Sequence, residues 1–149
     1  ISYNYGAKNF ARVRGTYRRL IATTFLFTHL ATWATILFPK FFAGLFTNEL
    51  PLIEVVGRVM PVFMIGMLIF GLQMGIQPTF VALGQAKISL FIAVLRKLIL
   101  LIPLALILPL RFGVMGVYYA EPVSDILSAL TACTLFLLNI NKILREKEA

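Results

Sequence analysis

Apolar residues fill this chain in long uncharged runs rather than in alternation. Residues 20–39 lie between Arg19 and Lys40, and residues 59–86 between Arg58 and Lys87, with no charge inside either run. A helix rises about 1.5 Å per residue, so roughly 20 apolar residues cross the ~30 Å hydrocarbon core of a bilayer. Both runs reach that length. A third run, residues 98–110, is too short alone and becomes a span only if its helix starts near Ile88, which places Arg96 and Lys97 inside it. The fourth, residues 112–141, is interrupted only by Glu121 and Asp125. Transmembrane strands would alternate apolar and polar positions, and these runs do not. Backbone satisfaction in lipid then leaves helices. The pattern predicts an all-α integral membrane chain with four transmembrane helices at about 19–39, 57–83, 87–110 and 113–140. A loop over 1–18 precedes them and a tail over 141–149 follows. The expected links are a loop over 40–53 containing Pro51 and turns at 84–87 and 109–113.

Composition agrees with lipid as the solvent. Of the 149 residues, 60% are hydrophobic and 13% charged, against roughly 25% charged in soluble domains. Mean hydropathy is +0.90, which excludes a water-soluble fold and the aqueous enzyme classes. Cys133 has no second cysteine to pair with, and His29 is the single histidine. A disulfide framework and a zinc site are therefore both excluded, and no metal or cofactor is expected. The chain opens at Ile1 in a polar, turn-like segment, without a signal or transit pattern, and reads as a fragment.

The net charge of +8 raises nucleic acid as a partner, but that reading needs one basic water-facing surface. Here the basic residues punctuate the spans, so no nucleic acid is expected. Four spans put the first segment, the turn near Gly84 and the tail on one side. That side carries Lys8, Arg12, Arg14, Arg18, Arg19, Lys87, Lys142, Arg145 and Lys147, against Lys40, Arg58 and Arg111 opposite. The positive-inside rule makes both chain ends cytoplasmic. Anionic lipid head groups add to that attraction.

Several residues need more than packing to explain them. Tyr5-Gly6 suits a turn, and Asn9 suits the N-cap of a helix that carries Arg12 to Arg19 at head-group level. Gly71 and Gly75 form a small-xxx-small pair for close helix contact. Gln73 and Gln77, also one turn apart, cannot face lipid unpaired, so they bond a neighbouring helix or line a cavity. Pro61, Pro78, Pro103 and Pro122 each remove a backbone donor and bend or break a helix. His29 and Trp33 are read as packing and hydrogen-bonding residues.

Glu121 and Asp125, at i and i+4, are the main chemical feature. A charge near the bilayer centre costs at least ~2.5 kcal/mol, so such residues face a bundle interior or a wet cavity. Two readings stand side by side: a proton-coupled cation site whose carboxyls titrate as one unit, or an internal ion pair with Arg96 or Lys97. Those two cations lie ~13 Å along the helix from Lys87. Snorkelling hardly reaches so far, so one of them faces the bundle interior.

Four blocks in order, ISYNYGAKNFARVRGTYRR, ILFPKFFAGLFTNE, QPTFVALGQAKISLFIAVLRKLILLIPLALILP and GVMGVYYAEPVSDILSAL, resemble the C-terminal part of multidrug and toxic compound extrusion (MATE) transporters, in the MepA-like bacterial branch. The resemblance covers nearly the whole chain. It implies a transporter of twelve spans in two six-helix lobes, this chain supplying the last four. It also implies a multi-pass protein of the prokaryotic plasma membrane with a cytoplasmic C-terminus.

Similar proteins are antiporters that export amphipathic, often cationic drugs by alternating access in exchange for H+ or Na+, with no other cofactor and no covalent chemistry. The implied partners are drug-like molecules, membrane lipid and the missing N-terminal helices of the same chain. Gln73, Gln77, Glu121 and Asp125 then wall part of a cavity, with Arg96 and Lys97 beside them. Some sodium-coupled relatives keep a carboxylate in the helix equivalent to residues 59–86, and this chain has none there, so the proton is the expected ion. A flippase for lipid-linked saccharides, with Arg96 and Lys97 holding pyrophosphate, and a non-transporting membrane scaffold are the alternatives.

Overall fold

The computed structural model describes residues 1–146, which leaves Lys147 and the end of the expected tail outside the described residues. Every regular element among them is helical. Helix α1 (Ser2–Gly6) is short, where the sequence suggests a turn. The left-handed residue is Lys8, at φ 55°, rather than Gly6. Asn9 caps α2 (Phe10–Leu37), its Oδ1 accepting from the Arg12 N–H at 3.2 Å. Residues 10–18, expected in the loop ahead of the first span, are the first turns of that helix.

The link to the second span is not a simple loop. Pro39, which cannot continue the hydrogen-bond ladder of α2, opens a one-turn helix α3 (Pro39–Gly44). Helix α4 (Leu50–Met64) then starts with Pro51 in its first turn. The second span, expected as one helix from about 57, begins at Leu50 and breaks. Helices α4 and α5 (Met67–Ala82) meet at a 52° bend. Pro61 removes a donor one turn before the break, and Gly66 lets the chain press against the last helix. A Cβ at Gly66 would stand 2.6 Å from Pro122 Cα and 2.9 Å from Asp125 Cβ.

Gly84, at φ 76°, turns the chain into α6 (Ala86–Val94). A π-helical segment (Leu95–Leu101) and α7 (Ile102–Phe112) continue it as one 27-residue run. Gly113, at φ 57°, separates that run from α8 (Val114–Glu146). Pro109, expected in the turn, lies inside α7. Phe10–Leu37, Ala86–Phe112 and Val114–Arg145 are each long and apolar enough to cross a membrane, and the bent pair makes a fourth span if taken as one.

Helix α2 packs along α5, and α8 covers α5, the π segment and α7. The glycine pair lies in the first of these contacts, as expected. A Cβ at Gly71 would come 2.9 Å from Thr28 Cβ, and one at Gly75 would come 2.7 Å from Ile21 Cα. Phe10, Val13, Tyr17, Ile76, Phe80, Leu83, Phe136, Ile140 and Leu144 form the apolar core. That cluster ties the N-terminal segment, the Gly84 turn and the end of α8 to one end of the bundle. Elsewhere large apolar side chains point outward, including Phe27 and Leu30 on α2, Leu106 and Leu110 on α7, and Leu137 and Leu138 on α8. Such a surface is stable against acyl chains and would aggregate in water.

Replacement of Gly75 by Val in the full-length protein is expected to force α2 from α5 and cost about 1–3 kcal/mol. At Gly15, where a Cβ meets nothing within 4 Å, Ala is expected to gain up to about 1 kcal/mol by lowering backbone entropy. Thermal melting in detergent reads both, and equal melting of the two variants would contradict the close contact.

Candidate functional site

Two helical elements, the π segment and α8, place charge inside the bundle. Glu121, Ser124, Asp125 and Ser128, at i, i+3, i+4 and i+7, share a single stripe of α8. The π segment brings Arg96 to that stripe. Arg96 Nε donates to Asp125 Oδ1 at 2.6 Å, and Nη2 donates to Glu121 Oε1 at 3.1 Å. Lys97 Nζ reaches the same Glu121 oxygen at 3.4 Å. Asp125 is buried, at 1% exposure, whereas the Lys97 side chain is 53% exposed. The internal ion pair expected of the acids is present, and both cations take part. One guanidinium between two carboxylates replaces their mutual repulsion with attraction.

The surroundings hold the guanidinium in place. Its carbon sits 4.0 Å above the Phe70 ring of α5, a cation–π contact that desolvation strengthens. Ser124 Oγ donates to the Arg96 backbone carbonyl at 2.9 Å. That bond clamps α8 onto the π segment, where the wider turn disturbs the regular i→i−4 ladder.

A chain of amides continues from the same stripe. Ser128 Oγ donates to Gln73 Oε1 at 2.7 Å, Gln73 Nε2 to Gln77 Oε1 at 3.4 Å, and Gln77 Nε2 to the Ser89 carbonyl at 3.2 Å. The glutamines therefore bond neighbouring helices. Gln77 also lines an open cleft of about 640 Å³ with Ser2, Phe70, Met74, Pro78, Val81, Ala82 and Ser89. Phe70 thus touches both the ion pair and the cleft. On the far side of α5, His29 Nδ1 lies 3.3 Å from the Leu68 carbonyl and its ring meets those of Phe25 and Trp33.

All six expected residues, Gln73, Gln77, Arg96, Lys97, Glu121 and Asp125, lie in this one connected region. Sequence reasoning missed Ser124 and Ser128, although their spacing from Glu121 and Asp125 marks the stripe. It also missed Phe70, three residues before Gln73, and Gly66. Nothing in the sequence links either of those to Arg96 or Pro122.

A family model described as MatE matches residues 1–107. The chain belongs to the MatE family. Glu121 and Asp125 lie beyond the matched segment, whereas Gln73, Gln77, Arg96 and Lys97 fall within it. Among solved structures, the fold is similar to the Vibrio cholerae MATE transporter VcmN in its bent form, with a TM-score of 0.79 and 22% identity. That likeness covers 97% of this chain and 32% of the Vibrio chain, so the chain spans about a third of that transporter's length. No curated protein matches. Family and apolar helices together make this MatE chain part of a multi-pass membrane protein.

Removing the guanidinium tests how the site is held. Arg96→Met leaves Asp125 buried without its partner and is expected to destabilise the full-length protein by about 3–5 kcal/mol. Adding Asp125→Asn should recover much of that loss. A double-mutant cycle on melting in detergent measures the coupling, and additive losses would mean that the pair contributes nothing.

Proposed function

We propose that this chain forms part of a cation-coupled multidrug antiporter of a prokaryotic plasma membrane, exporting amphipathic, often cationic compounds by alternating access. The observation that carries the reading is a charged cluster within the spans that shares Phe70 with a cleft lined by uncharged residues. The basic end of the bundle, with both chain ends, lies in the cytoplasm by the positive-inside rule. Helices beyond this chain complete the transporter, as the partial cover of the Vibrio structure supports.

Coupling needs only that a proton and a drug change each other's affinity. Glu121 is the partly exposed acid, and its carboxylate is divided between Arg96 and Lys97. A cationic compound competes with Lys97 for that oxygen, and a proton on Glu121 removes the attraction and releases the compound. Asp125 keeps Arg96 in place while this happens. A sodium ion would have to displace the guanidinium from between the acids, and residues 59–86 offer no further carboxylate. Both points favour the proton.

The cleft also bears on the flippase alternative. A site for pyrophosphate needs free cations, whereas Arg96 and Lys97 are engaged with the acids and none of the residues lining the cleft is charged. An apolar floor with Gln77 and Ser89 as hydrogen-bonding groups suits an amphipathic molecule.

The test uses the full-length protein in proteoliposomes with a fluorescent lipophilic cation. An imposed pH gradient is expected to drive export. Glu121→Gln should lower it roughly 5- to 150-fold, the span of a 1–3 kcal/mol coupling, and flatten its pH dependence while protein abundance holds. Unchanged export would remove Glu121 from the mechanism. Lost abundance with unchanged turnover per molecule would favour a scaffold, and accumulation of a lipid-linked saccharide in cells lacking the gene would favour a flippase.

A further inference from the structure

A second cavity lies away from the charged cluster, on the outer face where α2, α5 and α8 meet. It is a groove of about 360 Å³ floored by Ile21, Phe25, Leu72, Ile76, Cys133 and Phe136. One residue of its lining is charged. Arg18 stands at the end nearest the chain termini, because α2 runs inward from Phe10 and α8 runs back toward Glu146. Arg18 has no acidic partner among the described residues. Arg14, one turn nearer the terminus, likewise makes no ion pair among them.

We propose that this groove binds one anionic glycerophospholipid from the leaflet at the chain-termini end, its phosphate on Arg18 and an acyl chain along the apolar floor. Charge complementarity argues for that occupant. A second protein helix would need to carry an acid opposite Arg18 to avoid leaving it buried and unpaired, whereas every phospholipid carries its phosphate already. A lipid puts its phosphate at head-group depth, where the uncharged run of α2 begins, and its hydrocarbon where the groove is apolar. Basic pockets between transmembrane helices on the cytoplasmic side suit acidic head groups in this way. Arginine also offers the phosphate a paired set of N–H donors.

The neighbouring face of α2 supplies an internal comparison. Arg12 and Arg19 line a separate cleft with Asn4, Gly15 and Thr16, and this cleft lacks the apolar floor. Diffuse attraction of lipid to basic residues would draw on Arg12 as much as on Arg18. A built site would not.

The experiment is native mass spectrometry of the full-length protein, purified in mild detergent and incubated with phosphatidylglycerol, phosphatidylcholine or glycerol 3-phosphate. Phosphatidylglycerol is expected to be retained at least fivefold more than phosphatidylcholine. Arg18→Gln should abolish that preference, Ala22→Trp should fill the groove and lower retention of both lipids, and Arg12→Gln should change neither. Equal retention of the two lipids overturns the proposal, as does an effect of Arg12→Gln equal to that of Arg18→Gln. Binding of glycerol 3-phosphate as strong as that of the lipid would show a free-phosphate site and overturn the lipid assignment. Should Arg18→Gln fold poorly, Arg18→Lys keeps the charge and is expected to retain part of the preference. A preference for phosphatidylglycerol undiminished in folded Arg18→Gln would overturn the assignment of the phosphate to Arg18.

Discussion

A single guanidinium sets the arrangement of the central part of this bundle. In lipid, a carboxylate without a partner is far more costly than in water, and two carboxylates one helical turn apart are worse still. Arg96 meets Asp125 and Glu121 at 2.6 and 3.1 Å, so the 86–112 run is fixed to the first turns of α8. Other local irregularities gather around that contact. The π segment aims Arg96, Ser124 holds its carbonyl, Phe70 covers its face, and the break at Gly66 lets the bent span close over Asp125.

The two parts of the bundle are stabilised by different physics. Toward the chain termini, aromatic rings and aliphatic side chains interlock, with Phe136 meeting both Tyr17 and Phe80 edge to face. Contacts of that kind depend on shape and hold one packing. Farther along, a line of hydrogen bonds from Ser89 through Gln77 and Gln73 to Ser128, and the ion pairs of the acids on the same helix face, hold the helices together. Hydrogen bonds of this kind exchange partners without leaving apolar groups in water.

Helices α4 and α7 bury none of their residues within this chain. Their outward faces are surfaces that only lipid or further helices cover. The Vibrio transporter is about three times as long as the stretch to which this chain is similar. Within the charged cluster, Arg96, Lys97, Glu121 and Asp125 pair with one another among the described residues.

What the sequence determined by itself is whatever depends on local, additive terms. Transfer of successive apolar side chains into lipid sums along a run, so the spans near 20–39 and 113–140 were legible. The cap at Asn9 and the close contact at Gly71 and Gly75 were equally readable, since each needs only its own helix and the approach of a neighbour. Tertiary structure alone decided which cation meets which acid, because Arg96 and Asp125 are 29 positions apart in the chain and sequence spacing leaves Lys97 equally eligible. It also decided that the second span bends by 52° at Gly66. Pro61 and Pro78 both lie in that span, and the bend falls where a glycine must admit another helix's backbone, a contact that no periodicity encodes.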